Sequence, residues 1–168
     1  MEDTDTVITG KSEENTVTID TSEGNVDVTF DDLKIDVSGK KEGDGSGDSP
    51  VRESNAAVTV QGDHDATIEL DGDNELKSGG YNAGLEKNEH ESEGTLTIKD
   101  DKGKDGSLTA EGGDGGGAGI GGGGFGAGGG AGGGISNITI KDADVTAGAD
   151  AGLSLIHISE PTRRRGIS

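Results

Sequence analysis

Residues 15–37 read NTVTIDTSEGNVDVTFDDLKIDV. Val17 and Ile19 alternate with Thr16 and Thr18, Val26, Val28 and Phe30 with Asp27 and Thr29, and Leu33, Ile35 and Val37 with Lys34 and Asp36. A period of two places every second side chain on one face of an extended strand, whereas a helix brings them round every three or four residues. Most of these apolar residues are β-branched, and the runs close on Asp, Ser, Gly or Asn, which turn the chain. The pattern continues at Val58/Val60, Ile68/Leu70, Leu96/Ile98, Leu108/Ala110, Ile138/Ile140 and Val145/Ala147. No stretch carries a convincing helical period, so the expected class is all-β.

The strands recur in pairs: NTVTID with NVDVTF, NAAVTV with DATIEL, GTLTIKD with GSLTA, NITIKD with DVTA. The lead residues Val17, Val58, Leu96 and Ile138 are 41, 38 and 42 positions apart. A near-constant superperiod marks a stacked repeat in which each unit buries its apolar face against its neighbours. Two pairs of segments are close in wording. Residues 95–110 parallel 138–147, and Ala83-Gly84-Leu85 parallels Ala118-Gly119-Ile120. The expectation is a right-handed parallel β-helix, or β-solenoid, over residues 1–152, irregular and carrying a glycine-rich segment. The competing architecture, an antiparallel sandwich, asks for more aromatic core and for two-residue hairpin turns, both poorly represented here.

Composition narrows the classes. Among 168 residues, 34 are acidic and 14 basic, a formal charge of −20, and Leu, Ile, Val and Phe together supply 31. So few large apolar residues cannot fill a conventional globular core, and the absence of cysteine removes a disulfide scaffold. Nucleic acid is excluded as an expected partner, because this charge repels phosphate. No apolar run approaches the roughly 20 residues of a membrane-spanning helix.

Residues 112–134 hold 17 glycines among 23, broken by Asp114, Ala118, Ile120, Phe125, Ala127 and Ala131. They read as rungs where backbones lie too close for side chains, with Ile120 and Phe125 pointing inward; a flexible linker has the same composition. Residues 39–54, with Gly, Ser and Pro50, read as a loop insertion. From Leu153 the composition changes: LSLIHISEPTRRRGIS carries three arginines, while the preceding 152 residues hold only Arg52. The run Leu153–Arg163, resumed by Ile167 and Ser168, resembles the conceptual translation of a sequencing adapter. Residues 153–168 are therefore expected to be a non-native tail, and residues 1–152 a fragment of a longer protein without a visible signal peptide.

The wording VTFDDLKID, NAAVTVQGDHDATIELDGDNELKSG, NAGLEKN, GTLTIKD, GSLTAEGGDGGGAGIGGG and NITIKDADVTA resembles the repetitive β-helical surface proteins of Gram-positive gut bacteria, the carbohydrate-binding-domain or adhesin-like group. The likeness spans residues 15–152, departing at NAGLEKNEHESEG where a second AGIGG-type segment would be expected. It implies an extracellular or wall-associated, non-catalytic protein that binds a polysaccharide or surface glycan. Calcium is a further possibility that the likeness raises.

Acidic residues cluster at the turns, and hard oxygen ligands at this density suit calcium. DGDNE at 71–75 has carboxylates at its first, third and fifth places, making Asp71 and Asp73 the candidate metal ligands. Leu76 stands where a calcium loop needs glycine, and the alternative is a set of solvated turns that keep the chain soluble. His64 and His90 lack a third ligand at metal spacing. No nucleophile–base pair is suggested, so no catalytic residue is assigned. Carboxylate pairs such as Asp27 with Asp36, or Glu69 with Asp71, could serve a glycosidase, but acidic pairs are too abundant here to be informative. Outward threonines, Thr16, Thr18, Thr29, Thr59, Thr67, Thr95, Thr97 and Thr139, could form a ladder for ice or a crystalline polymer; their register is irregular, and exposed strand positions favour threonine in any case. The expected function is non-catalytic glycan binding or adhesion, the runner-up a structural spacer, and the third a β-helical polysaccharide lyase or hydrolase.

Overall fold

The computed structural model describes residues 6–39, 55–87, 93–103, 105–113, 117–123, 137–149 and 156–158. Alternation of apolar with polar residues yields strands alone: β1 (Thr6–Ser12), β2 (Val17–Asp20), β3 (Val26–Asp36), β4 (Val58–Gln61), β5 (Ala66–Asp71), β6 (Asp73–Lys77), β7 (Leu85–Glu86), β8 (Leu96–Lys99), β9 (Ser107–Gly112), β10 (Ile120–Gly121), β11 (Ile138–Lys141), β12 (Asp144–Ala149) and β13 (Ile156–Ile158). The described residues contain no helix.

Strand β3 organises the rest. Its first half pairs in parallel with β5, which continues through β8 to β11; its second half pairs in parallel with β6, which continues through β9 to β12. These two arms, with β1, which also lies along β3, and β13 at the end of the second arm, make one nine-stranded sheet that is nearly closed and barrel-like. Strand β13, within the segment 153–168, adds the sheet's one antiparallel pairing, to β12. A second, four-stranded parallel sheet runs β10-β7-β4-β2. The buried residues of both sheets share one core, with Phe30, Val58, Ile68, Leu85, Leu96 and Ile98 fully enclosed.

The right-handed parallel β-helix expected from the repeat is overturned by this arrangement. A solenoid of the expected kind breaks into separate faces at each corner. Here β3 runs through the corner for eleven residues and joins both arms into a single sheet. The reason is local. Apolar alternation slips by one residue between Phe30 and Leu33, both buried, and Asp32 absorbs the slip with a left-handed φ of 49°. Gly72 (φ 62°) and Asp142 (φ 52°) occupy the equivalent bends between β5 and β6 and between β11 and β12, a conformation that Gly, Asp and Asn tolerate best. The lead residues also divide differently from the sequence repeat. Val17 lies opposite Val58, and Leu96 opposite Ile138, but Val58 continues to Leu85 while Leu96 pairs back to Ala66.

The close sequence parallels hold in three dimensions. Leu85 and Ile120 are in register, as are Leu108 and Val145. A Cβ on Gly84 would stand 2.7 Å from the Gly119 carbonyl oxygen, and one on Gly119 would stand 2.4 Å from the Gly148 nitrogen, so backbones do approach too closely there for side chains. Ile120 packs against the core; Asp114, Phe125 with the rest of 124–134, and all of the loop expected at 39–54 but Gly39 lie outside the described residues.

Buried polar side chains tie successive repeats together at the bends. Asn74, 2% exposed, accepts a hydrogen bond from Leu33 N (2.9 Å) and donates to the carbonyls of Asp71 (3.0 Å) and Ser107 (3.1 Å). Ser78 Oγ accepts from Ala57 N and donates to Ala83 O, both at 2.7 Å. Thr21 Oγ1 donates to Gln61 O at 3.0 Å. Truncating such a residue strands buried backbone groups, each at a cost of about 1–3 kcal/mol. Asn74→Ala is accordingly expected to lower stability by about 1–3 kcal/mol, read as a reduced urea midpoint at unchanged slope. Asn25→Ala, which removes only the exposed acceptor for Asp65 N, should shift the midpoint far less.

Candidate functional site

Parallel register copies a position from strand to strand, so the polar positions between the apolar ones form ranks. On the outer face of the arm β3-β5-β8-β11, one rank runs Asp27, Thr67, Thr97, Thr139. The next runs Thr29, Glu69, Lys99, Lys141. Between them the inward rank Val28, Ile68, Ile98, Ile140 holds the arm to the core. Neighbouring strands lie about 4.8 Å apart, which sets the spacing of hydroxyls and charges along each rank. Asp27, Thr67 and Thr97 of the first rank and all four members of the second, with Asp101 and Lys102 from the loop after β8, line an open depression of about 500 Å³.

Glu69 anchors that loop. It is 4% exposed, and its Oε1 accepts hydrogen bonds from the backbone amides of Asp101 (2.9 Å) and Lys102 (2.8 Å). Its buried Oε2 has no hydrogen bond and faces Lys99 Nζ at 3.6 Å. Lys99 Nζ also donates to Asp101 Oδ2 at 2.7 Å. The buried Asp100 fixes the loop's far end by accepting from Gly106 N at 2.8 Å. The hydrogen bond with Lys99 holds the Asp101 carboxyl below the usual aspartate range, and the same bond raises the Lys99 ammonium above the usual lysine value. Lys141, exposed on the edge strand β11, makes no ion pair among the described residues.

The sequence candidates are distributed unevenly. Asp71 and Asp73 flank Gly72 at the bend between β5 and β6, both exposed. Asp73 Oδ1 accepts from Ser107 Oγ at 2.9 Å, and Asp73 N donates to Asp32 Oδ1 at 3.0 Å. No group of three His, Cys, Asp or Glu suited to a metal ion occurs among the described residues. Asp27 and Asp36 stand at opposite ends of β3, and Glu69 is committed to the loop amides while Asp71 is exposed. His64 Nδ1 lies 2.8 Å from Thr21 O, and His90 is outside the described residues. A second depression of about 420 Å³ is lined by Glu13, Glu14, Asp36, Ser38 and Gly39.

Of the eight threonines, Thr29, Thr67, Thr97 and Thr139 come together on one face, in two adjacent ranks, whereas Thr18 and Thr59 pair in the second sheet and Thr16 and Thr95 lie outside the strands. Asp101 belongs to the acidic turn clusters visible in the sequence; Lys99 and Lys141 were not singled out, although TIKD occurs twice, at 97–100 and 139–142, and in-register copies of one tetrapeptide place like residues side by side. No helix among the described residues is long and apolar enough to cross a membrane. Comparison with family models, with curated proteins and with solved structures finds no match to this chain.

The Lys99–Asp101 pair gives a pH signature. An aspartate whose value is lowered by folding contributes stability above its unfolded value and loses that contribution as pH falls through the folded one; a raised lysine behaves conversely at the alkaline end. The pair is thus intact across the neutral range. Lys99→Met is expected to move the Asp101 carboxyl upward toward the usual aspartate range, read by NMR titration of its side-chain carbon, whereas an unmoved titration would show that the pair is not formed.

Proposed function

We propose that this chain is a non-catalytic cell-surface protein, extracellular or wall-associated, that binds a glycan through the outer face of β3, β5, β8 and β11. One observation carries the reading: threonine hydroxyls and charged heads lie in register on four parallel strands, repeating at a fixed spacing along a depression of ligand size. A polymer of sugar rings presents hydroxyls at a regular interval, and a rank of fixed donors and acceptors meets it without rearrangement. Pre-organisation of this kind lowers the ordering cost of binding. The face is mainly polar, and its threonines offer both donor and acceptor capacity. The resemblance of the repeats to carbohydrate-binding surface proteins points the same way, and the formal charge of −20 argues against a nucleic-acid partner.

A glycan array, followed by titration calorimetry with the polymer that binds, tests this reading against the structural-spacer alternative. The Thr67→Val, Thr97→Val double variant keeps two β-branched side chains and removes two hydroxyls. It is expected to weaken binding by about ten-fold or more, since each lost hydrogen bond is worth about 0.5–1.5 kcal/mol. A chain that binds no glycan, or a double variant that binds as tightly as the parent, contradicts it.

A further inference from the structure

We propose that the polymer recognised by this face is uncharged and extended, and that it lies across the strands, following the ranks from β3 to β11. The inference rests on the glycan-binding reading and names the substrate class and its path. The residues lining the depression set its shape. They come from four adjacent strands but occupy a short length of each: Asp27 to Thr29 on β3, Thr67 and Glu69 on β5, Thr97 and Lys99 on β8, and Lys141 on β11. Four strands at about 4.8 Å span roughly 14 Å, whereas two residue steps along a strand cover only about 7 Å. The loop after β8 adds Asp101 and Lys102 at the C-terminal side of the strands, held there by the hydrogen bonds that their amides donate to Glu69 Oε1.

The long axis therefore crosses the strands. A ring of an extended, equatorially linked hexose chain advances by close to one strand spacing, so successive rings meet successive strands. Thr67 and Thr97, directly opposite one another on β5 and β8, then stand at equivalent points beneath neighbouring rings.

Charge within the depression is balanced. Asp27, Glu69 and Asp101 stand against Lys99, Lys102 and Lys141, in a chain whose 34 acidic residues far outnumber its 14 basic ones. Part of the balance is made by contact, with Lys99 Nζ 2.7 Å from Asp101 Oδ2 and 3.6 Å from Glu69 Oε2. A carboxylated or sulfated ring would add negative charge beside three carboxylates and meet the repulsion of the whole chain. An amino sugar would add positive charge beside three lysines. A polycation has a better site at the depression of Glu13, Glu14 and Asp36, whose lining holds no lysine among the described residues. Ring hydroxyls disturb neither sign, and they escape the large cost of stripping water from an ion. Paired carboxylates and ammonium groups supply acceptors and donors together, and a sugar hydroxyl uses both.

The test places the full chain on an array of neutral, carboxylated, sulfated and amino polysaccharides, followed by calorimetry with oligomers of the polymer that binds. A neutral polymer is expected to bind more tightly than its charged counterparts. Its affinity should change by less than about two-fold between about 0.01 and 1 M sodium chloride, over which the screening length falls from about 30 Å to about 3 Å. The four-ring oligomer is expected to bind about ten-fold or more tightly than the two-ring one, and Thr109→Val on the other arm should leave both affinities unchanged. A charged polymer that binds as tightly as its neutral counterpart, or an affinity that falls about ten-fold with salt, would overturn the uncharged class. Equal binding of the two-ring and four-ring oligomers would overturn the path across the strands. Either result leaves glycan binding in place, whereas failure of every polymer on the array would overturn that reading as well.

Discussion

The structure depends on in-register parallel stacking of a few aliphatic side chains. Val28, Ile68, Ile98 and Ile140 form one rank, and Val17, Val58, Leu85 and Ile120 form another. With only 31 Leu, Ile, Val and Phe residues, no thick core can form. A thin one shared by two facing sheets can, because each aliphatic group contacts its copy above and below as well as the opposite wall. Buried aliphatic side chains each contribute about 1.5–3 kcal/mol relative to exposure, so the ranks must be nearly complete. That requirement fixes the register, since a slip of one residue would turn the threonines and aspartates inward.

Register then dictates the surface. The stacking that aligns isoleucines inside also aligns Thr67, Thr97 and Thr139 outside, and sets Glu69, Lys99 and Lys141 in a row beside them. Like charges in a row repel, and the chain limits this with local pairs: Lys99 between Asp101 and Glu69, and Lys77 at 3.1 Å from Glu75. The exposed pairs, Lys99–Asp101 and Lys77–Glu75, add little stability. The polar bridges at the bends, Asn74, Ser78 and Thr21, satisfy the backbone groups that strand pairing leaves over.

Much of this was legible in the residues. Period-two alternation located the strands, and the twin segments at 95–110 and 138–147 are neighbours in the sheet. The architecture was not legible, because the clue lay in a phase slip: Val26, Val28 and Phe30 point inward on one count and Leu33, Ile35 and Val37 on the next. Read as two strands, VTFDDLKID suggests a corner between two faces. In the structure Asp32 carries the slip within one strand and the faces merge. The pairing of Val58 with Leu85 was hidden because only two residues of β7 are paired. At the surface, the threonines were visible one by one, but only the register shows which share a face. Asp71 and Asp73 drew attention through spacing along the chain, while the bend turns them into solvent and gives one of them a serine partner.

The most direct test of the stacked ranks is a set of methyl–methyl nuclear Overhauser contacts in isoleucine-, leucine- and valine-labelled protein. The account predicts contacts linking Val28 to Ile68, Ile68 to Ile98, and Val58 to both Val17 and Leu85. Absence of these contacts, or a set that pairs the same residues in antiparallel order, would contradict it.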